Sequence, residues 1–187
     1  MKKQPEQTAR TRQAIIDAFW ELALEQGIDK VTISAVTKKA NLNRGTFYVY
    51  FTDMPELLSQ VEADLIHDFQ NRMEQIITND SFADFVKVSQ MLPQIFMDYD
   101  NQFFLLIGPN GDPMFRKVIQ SEATEKFKTL FPLPEGETGD YIMTYLTSAM
   151  LETMTYWHEN GQKISVVELG RIIYTMATSG IWGFAKK

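Results

Sequence analysis

The 187-residue chain contains no cysteine. Disulfides and thiol chemistry are therefore excluded, and the composition fits a reducing compartment. Histidine is almost as scarce. There are two, His67 and His158, neither of which has a second histidine at metal-ligand spacing, so no metal site is expected. Their acidic neighbours Asp68 and Glu159 are adjacent in sequence, and adjacent residues on a helix do not face each other. No run of about 18 apolar residues occurs, so no membrane-spanning helix is expected. The opening residues, Met1 to Glu6, are polar and lead into no apolar segment. No secretory signal is read there, and a cytoplasmic protein is expected. Gly108-Pro109-Asn110-Gly111 follows no strand, and no phosphate-binding glycine loop or nucleophile elbow is present. These absences point away from an enzyme and away from a cofactor.

What is present is an ordinary globular composition, 44% hydrophobic and 22% charged. The net charge of −6 argues at first against a nucleic-acid partner. Its distribution reverses that. Eight Lys/Arg against five Asp/Glu within residues 1–52 leave +3 there, so the remainder carries −9. A mildly basic head on an acidic body suits a DNA reader whose second part does not bind DNA.

Helical periodicity runs through the chain. In residues 8–26, Ile15, Phe19, Leu22 and Ala23 share a face. Thr8 or Thr11 can cap the start, and Gly27 can end the helix in the left-handed region. A short helix over 32–40 follows, with Thr32 as its cap. Asn41 tolerates the positive φ of a tight turn. Asn43 then caps a third short helix, 44–50, whose Phe47 points inward with Phe51 just beyond it. Asp53 opens a long helix, with Pro55 in its first turn and Glu56 placed as in a capping box.

Three helices in about 45 residues, the last two joined by a three-residue turn, make a helix-turn-helix. The third helix keeps only a thin apolar stripe. Its other face offers Arg44, Gly45, Thr46, Tyr48 and Tyr50. Arginine pairs bidentately with guanine, and hydroxyls donate to phosphates. Glycine lowers helix propensity but lets a DNA backbone come close.

Residues 31–51, VTISAVTKKANLNRGTFYVYF, with the following TDMPELL, closely resemble the DNA-binding motif of the TetR/AcrR family. The segment RGTFYVYF carries most of the specificity. The likeness covers roughly residues 9–69, taken as the DNA-binding domain with its motif at 32–51. It implies that Thr32, Thr46, Tyr48 and Tyr50 hold phosphates. It implies that Asn43, Arg44 and Val49 approach bases, and that Phe47 and Phe51 anchor the recognition helix to the first helix. Family members commonly carry a lysine where this chain has Met54, a loss of one ionic contact with DNA. Lys38 and Lys39 are the candidates to compensate.

Residues 70–187 read as a helical regulatory and dimerisation domain, which makes the expected fold all-α. Long helices are expected over 54–78, 81–100 (bent or broken at Pro93), 114–131, 140–161 and 165–184. A short helix or turn is expected at 101–107, and loops at 108–113 and 132–139. The last two long helices are more apolar than one core-facing stripe requires. That excess suggests a partner surface, and the family resemblance implies a homodimer built on a four-helix bundle of these helices. Met154, Trp157, Leu169, Ile173, Met176 and Ile181 are the expected interface. A two-fold dimer would read two half-sites of a pseudo-palindrome about one turn, roughly 34 Å, apart or a multiple of it.

An apolar ligand cavity in the body would be lined by Met91, Phe96, Phe103, Phe104, Met114, Phe115, Tyr145 and Met150, adaptable or flat side chains that also serve as plain core. Residues 156–161, continuing to Ile164 and Ser165, resemble a TetR subgroup that includes regulators of dihydroxyacetone-kinase operons. The match is too short to name an inducer. The expectation is thus a double-stranded-DNA-binding regulator, a repressor before an activator, controlled by a small molecule or a protein partner. The alternative is a helical adaptor of the same fold with weak DNA binding, which Met54 and the mild basic charge would favour.

Overall fold

The structure is a computed structural model that describes residues 5–77, 82–99, 101–131 and 133–184, apart from the side chains at 5, 82, 85, 89, 92, 93 and 96. The expected cap at Ser81 and the side chain of Phe96 lie outside that description. Nine α-helices are found among the described residues, and no strand. They are α1 (Pro5–Gln26), α2 (Ile33–Lys39), α3 (Arg44–Phe47), α4 (Met54–Ile76), α5 (Phe82–Met97), α6 (Gln102–Ile107), α7 (Pro113–Lys128), α8 (Glu137–Glu159) and α9 (Val166–Ser179). Short 3-10 turns follow α1 at Ile28–Lys30 and α9 at Gly180–Phe184. No described helix is long and apolar enough to cross a membrane. The described residues also contain no His/Cys/Asp/Glu group able to hold a metal.

The chain forms two compact units. The first comprises residues up to Ile66 with Pro109–Gly111, and the second His67–Gly108 with Asp112 onward. The division falls inside α4, which runs unbroken across it.

In the first unit the local signals act where the sequence places them. Gly27 takes φ +89° and its N–H reaches Ala23 O at 2.9 Å, ending α1. The start of α1 differs from expectation. The helix begins at Pro5, and Thr11 Oγ1 donates back to Gln7 O, so Thr11 decorates the helix instead of capping it. Thr32 caps α2 by accepting from Ala35 N. Asn41 adopts φ +53°, and Leu42 N–H closes onto Thr37 O at 2.8 Å, which turns the chain into α3. At the start of α4, Glu56 N–H donates to Asp53 Oδ1 (2.8 Å), while Glu56 Oε2 accepts from Thr52 N–H (2.5 Å). This reciprocal pair is a capping box shifted by one donor. The hydrogen bonds from Thr52 hold the Glu56 carboxyl below its ordinary range. Ile15, Phe19, Val36, Phe47, Phe51 and Leu57 form the centre, each essentially without exposure. Full burial of side chains this size contributes about 1.5–3 kcal/mol apiece.

In the second unit, α5 packs on α9, α7 on α8, and α8 on α9, around the short helix α6. Four of the six α6 residues, Phe103, Phe104, Leu106 and Ile107, are buried. A helix this short is marginal in isolation, and packing holds it. Arg116 supplies a polar closure, donating to Ile107 O at the C-terminal end of α6 and to Glu152 on α8, both at 2.6 Å. Asp112 ends the loop by capping α7 through Met114 N and Phe115 N, with Pro113 in the first turn. Of the expected bend or break at Pro93, the break does not occur, and α5 runs continuously past position 93. A proline costs one i→i−4 bond, and the packing of α5 on α9 outweighs that loss.

Candidate nucleic-acid interface

The four-residue helix α3 owes its existence to its ends. Asn43 Oδ1 accepts from Thr46 N at 2.8 Å and from Thr46 Oγ1 at 3.1 Å, satisfying an N-terminal donor. Phe47, with no exposure, pins the inner face, and its ring lies 5.6 Å from that of Phe51. Arg12 of α1 sits over the Phe51 ring and donates to Gln60 of α4 at 2.9 Å. These contacts fix the angle at which the outer face of α3 is offered.

That outer face carries Arg44 and Gly45, both exposed, with Tyr48 at 47% and Val49 at 66%. The helix stops at Phe47, short of the expected residue 50, so Tyr48 and Val49 stand in the turn after it, and the exposed valine serves no packing there. Arg44 Nε and Nη2 donate to Tyr48 Oη, at 3.3 and 3.1 Å. A Cβ at Gly45 would meet Asn43 Oδ1 at 3.2 Å, so glycine also spares the cap.

Four of the residues expected on this surface point or bond elsewhere. Lys39 bonds Glu21 of α1 at 2.8 Å and lies 3.6 Å from Glu25. The bond to Glu21, and then the two negative charges, hold its ammonium above the ordinary lysine range. Its charge is therefore neutralised at home and braces α2 against α1. The Tyr50 hydroxyl is buried with no hydrogen-bond partner, so it faces inward and not toward a phosphate. The exposed Asn43 directs its amide oxygen to capping. Thr32 likewise uses its oxygen as a cap while remaining exposed. Of the described cations in this unit, Arg10 pairs with Glu6 and Arg12 with Asp64. Arg44, Lys38 and Lys30 stay exposed without a carboxylate partner. Met54, where the family commonly has lysine, lines an apolar recess with Phe19, Val31 and Leu58.

In the second unit the residues expected around a ligand disperse. Phe103, Phe104 and Phe115 are core, with the Phe103 and Phe115 rings 5.6 Å apart. Met91 and Met114 are exposed, and Tyr145 stands on the outer face of α8 at 70% exposure. With Tyr145, Met150 lines a recess of about 60 Å³ between α8 and α9, beside Ile172, Ile173 and Met176. Met150 also borders a smaller recess of about 20 Å³, shared with Phe69, Ile119, Phe127, Thr147 and Met154. That is room for about one water. Polar side chains edge it, with Gln120 donating to Ser148 Oγ at 2.7 Å and the Thr124 and Thr147 hydroxyls 3.1 Å apart.

The expected partner face needs a similar correction. Met154, Trp157, Leu169 and Ile173 are buried in the unit's own core. Trp157 Nε1 donates to Ile164 O at 2.8 Å, fastening the end of α8 to the loop before α9. Met176 and Ile181 are exposed, as expected. The exposed surface also contains Tyr141, Tyr145 and Tyr156 of α8, Val167 of α9, and Trp182, 81% exposed in the following turn. The helix α8 carries two apolar stripes. One (143, 147, 150, 154, 157) faces the core, and the other (141, 145, 149, 156) faces out. The outward stripe is the one bearing tyrosine hydroxyls, which is the signal that distinguishes it in the sequence.

Residues 15–61 match the family model described as "Bacterial regulatory proteins, tetR family", and residues 87–179 match "Transcriptional regulator C-terminal region". An uncharacterised HTH-type regulator, YvdT of Bacillus subtilis, is 37% identical over 62 residues, 33% of this chain and 32% of that one. The chain thus aligns with about a third of that relative's length. The fatty acid metabolism regulator protein of Bacillus subtilis is 23% identical over 189 residues, covering 89% of this chain and 93% of that one. The crystal structure of FadR from Bacillus subtilis, in complex with stearoyl-CoA, superimposes with a TM-score of 0.66 at 21% identity, over 90% of this chain and 98% of that one. The relatives are regulators and not enzymes. With its capped recognition helix and these matches over both units, the chain belongs to the TetR family of DNA-binding transcriptional regulators.

Proposed function

We propose that the chain is a cytoplasmic repressor that binds a pseudo-palindromic operator as a homodimer and releases it when a ligand with an apolar chain enters the body. One observation carries the DNA-reading part. The helix α3 and the turn after it present Arg44, Tyr48 and Val49 to solvent, and the Arg44 charge is unneutralised by any described carboxylate. Such a face suits a groove edge. The outward side chains of α8, with Met176, Ile181 and Trp182, support the dimer reading, because exposed apolar and aromatic side chains in this number favour a partner. Two copies would place two α3 helices on successive half-sites.

For the effector, kinship with a regulator solved with stearoyl-CoA favours a fatty acyl thioester. The smaller recess bordered by Met150 is about 20 Å³, so an acyl chain would have to part α7 from α8 by moving Met150, Met154 and Phe127. Methionine rotamers make that opening cheap. Because α4 is continuous across both units, its displacement would change the spacing of the paired recognition helices. A coupling of a few kcal/mol is enough to release DNA.

A gel shift on the DNA upstream of the chain's own gene tests the reading. Binding is expected at low salt, lost in Arg44→Ala/Tyr48→Ala, and reversed by stearoyl-CoA. Absence of binding at low salt, or binding indifferent to the double substitution, overturns the DNA-reader claim. Indifference to acyl-CoA overturns only the effector.

A further inference from the structure

Arg44 and Tyr48 lie one helical turn apart on the outer face of the recognition segment. Nε and Nη2 of the guanidinium both point at the Tyr48 hydroxyl oxygen, at 3.3 and 3.1 Å. The guanidinium carbon lies 5.7 Å from the centre of the Tyr48 ring. The hydroxyl therefore occupies the inner, Nε side of the fork. Two N–H groups on Nη1 and one on Nη2 remain. They form the outer edge, which is suited to the O6 and N7 acceptors of guanine.

Tyr48 is itself held from behind. Its ring stands edge-on to that of Phe47, with centroids 5.7 Å apart and planes at 87°, and Phe47 has no exposure. A continuous line of contacts thus runs from the packed core through Phe47 and Tyr48 to the guanidinium. The partner is neutral, so the arginine keeps its full charge, unlike Arg10, Arg12 and Lys39, which face carboxylates. Asn43, the neighbouring candidate for base contact, directs its oxygen to the cap. Arg44 is left as the long donor at the front of the helix.

We infer that Tyr48 is a positioning residue for sequence readout, whose hydroxyl aims the Arg44 guanidinium at a guanine edge. This rests on the proposed reading of α3 as the base-contacting helix, and it assigns Tyr48 a task other than anchoring a phosphate. Arginine is long and rotamer-rich. Ordering it before DNA arrives improves affinity for the correct sequence by about twofold to tenfold, the ordinary cost of immobilising one such side chain.

The test begins by selecting a duplex from a randomised pool with the wild-type full-length chain. Binding is then measured to that duplex and to its single-base-pair variants, for wild type, Arg44→Ala, Tyr48→Phe and the double variant. The Tyr48 hydroxyl is on an exposed side chain, and phenylalanine preserves the ring contact with Phe47. Circular dichroism should therefore be unchanged.

Arg44→Ala should abolish discrimination at one G·C pair, by about tenfold or more. Tyr48→Phe should weaken discrimination at that same pair and no other, with the salt slope intact. The double variant should match Arg44→Ala. If Tyr48→Phe weakens every duplex equally, or adds its full effect on top of Arg44→Ala, the hydroxyl acts on the phosphate backbone and the inference is overturned. If the wild type enriches no sequence at all, the base-reading role of α3 falls, and the inference falls with it.

Discussion

Replacing Asn43 separates the stability of the recognition helix from its reading of DNA. Asn43 Oδ1 accepts two hydrogen bonds, from Thr46 N at 2.8 Å and Thr46 Oγ1 at 3.1 Å. The helix behind it has only four residues, so little else inside the helix offsets loss of the cap. Asn43→Ala should cost about 1 kcal/mol, the usual worth of an N-cap side chain. In a chain of this size that corresponds to a fall of about 2–4 °C in the unfolding midpoint. Asn43→Asp keeps the acceptor and adds a charge that favours a helix N-terminus. Its midpoint should stay close to the wild-type value. The same charge, however, stands next to Arg44 on the face offered to DNA, where it repels phosphates. Asn43→Asp should therefore lose DNA affinity and flatten the salt slope by about one unit, while Asn43→Ala keeps its slope. Differential scanning calorimetry and salt-dependent fluorescence anisotropy, run on the same samples, give both readouts. The capping argument fails if Asn43→Ala melts with the wild type, or if Asn43→Asp melts as low as Asn43→Ala.

Three further outcomes follow from the geometry. Tyr145→Glu with Ile181→Glu places two charges on the outward face of α8 and the turn after α9; sedimentation should show the proposed dimer for the wild type and a monomer for the variant while circular dichroism stays native, and an unchanged oligomer would relocate the interface. Lys39→Ala should leave the salt slope of DNA binding nearly intact because Glu21 and Glu25 already neutralise that charge, whereas Lys38→Ala should lower it; the reverse order would show Lys39 leaving its carboxylates for DNA. Burial holds His158 below the ordinary histidine range, with Glu159 opposing the shift, and its ring stacks on Phe104 at 4.0 Å. The unfolded chain therefore binds the proton more readily, and the neutral ring's contribution to stability, full above about pH 6.5, is lost as pH falls through the lower folded value; His158→Gln should flatten the melting curve's pH dependence in that window.

Much of the head was legible because its determinants are local. Thr32, Asn43 and Asp53 are capping residues at the right spacing, and Gly27 and Asn41 take the positive φ expected of them. Phe47 and Phe51, four apart, point inward as a helical period dictates. The engagement of Lys39 and Tyr50 was not legible. Lys39 meets Glu21 and Glu25 across two helices, and the inward turn of Tyr50 depends on how the segment after α3 rests on the core. Neither fact has a signature within ten residues of the side chain concerned.

The sequence by itself determined the all-helical fold and the DNA-reading motif, since caps, turn residues and helical periods act over a few positions. Tertiary structure decided what the inward stripe of α8 packs against. The Met143–Met150–Trp157 stripe and the Tyr141–Tyr145–Tyr156 stripe have the same period, and only the tyrosine hydroxyls tell them apart. The inward one meets α7 and α9, the helices on either side of α8 in the chain, whose angles against it the local sequence does not state. The same holds for the smaller recess by Met150, whose size is set by close packing of side chains from three helices. Periodicity states that a face will be buried. It does not state against what.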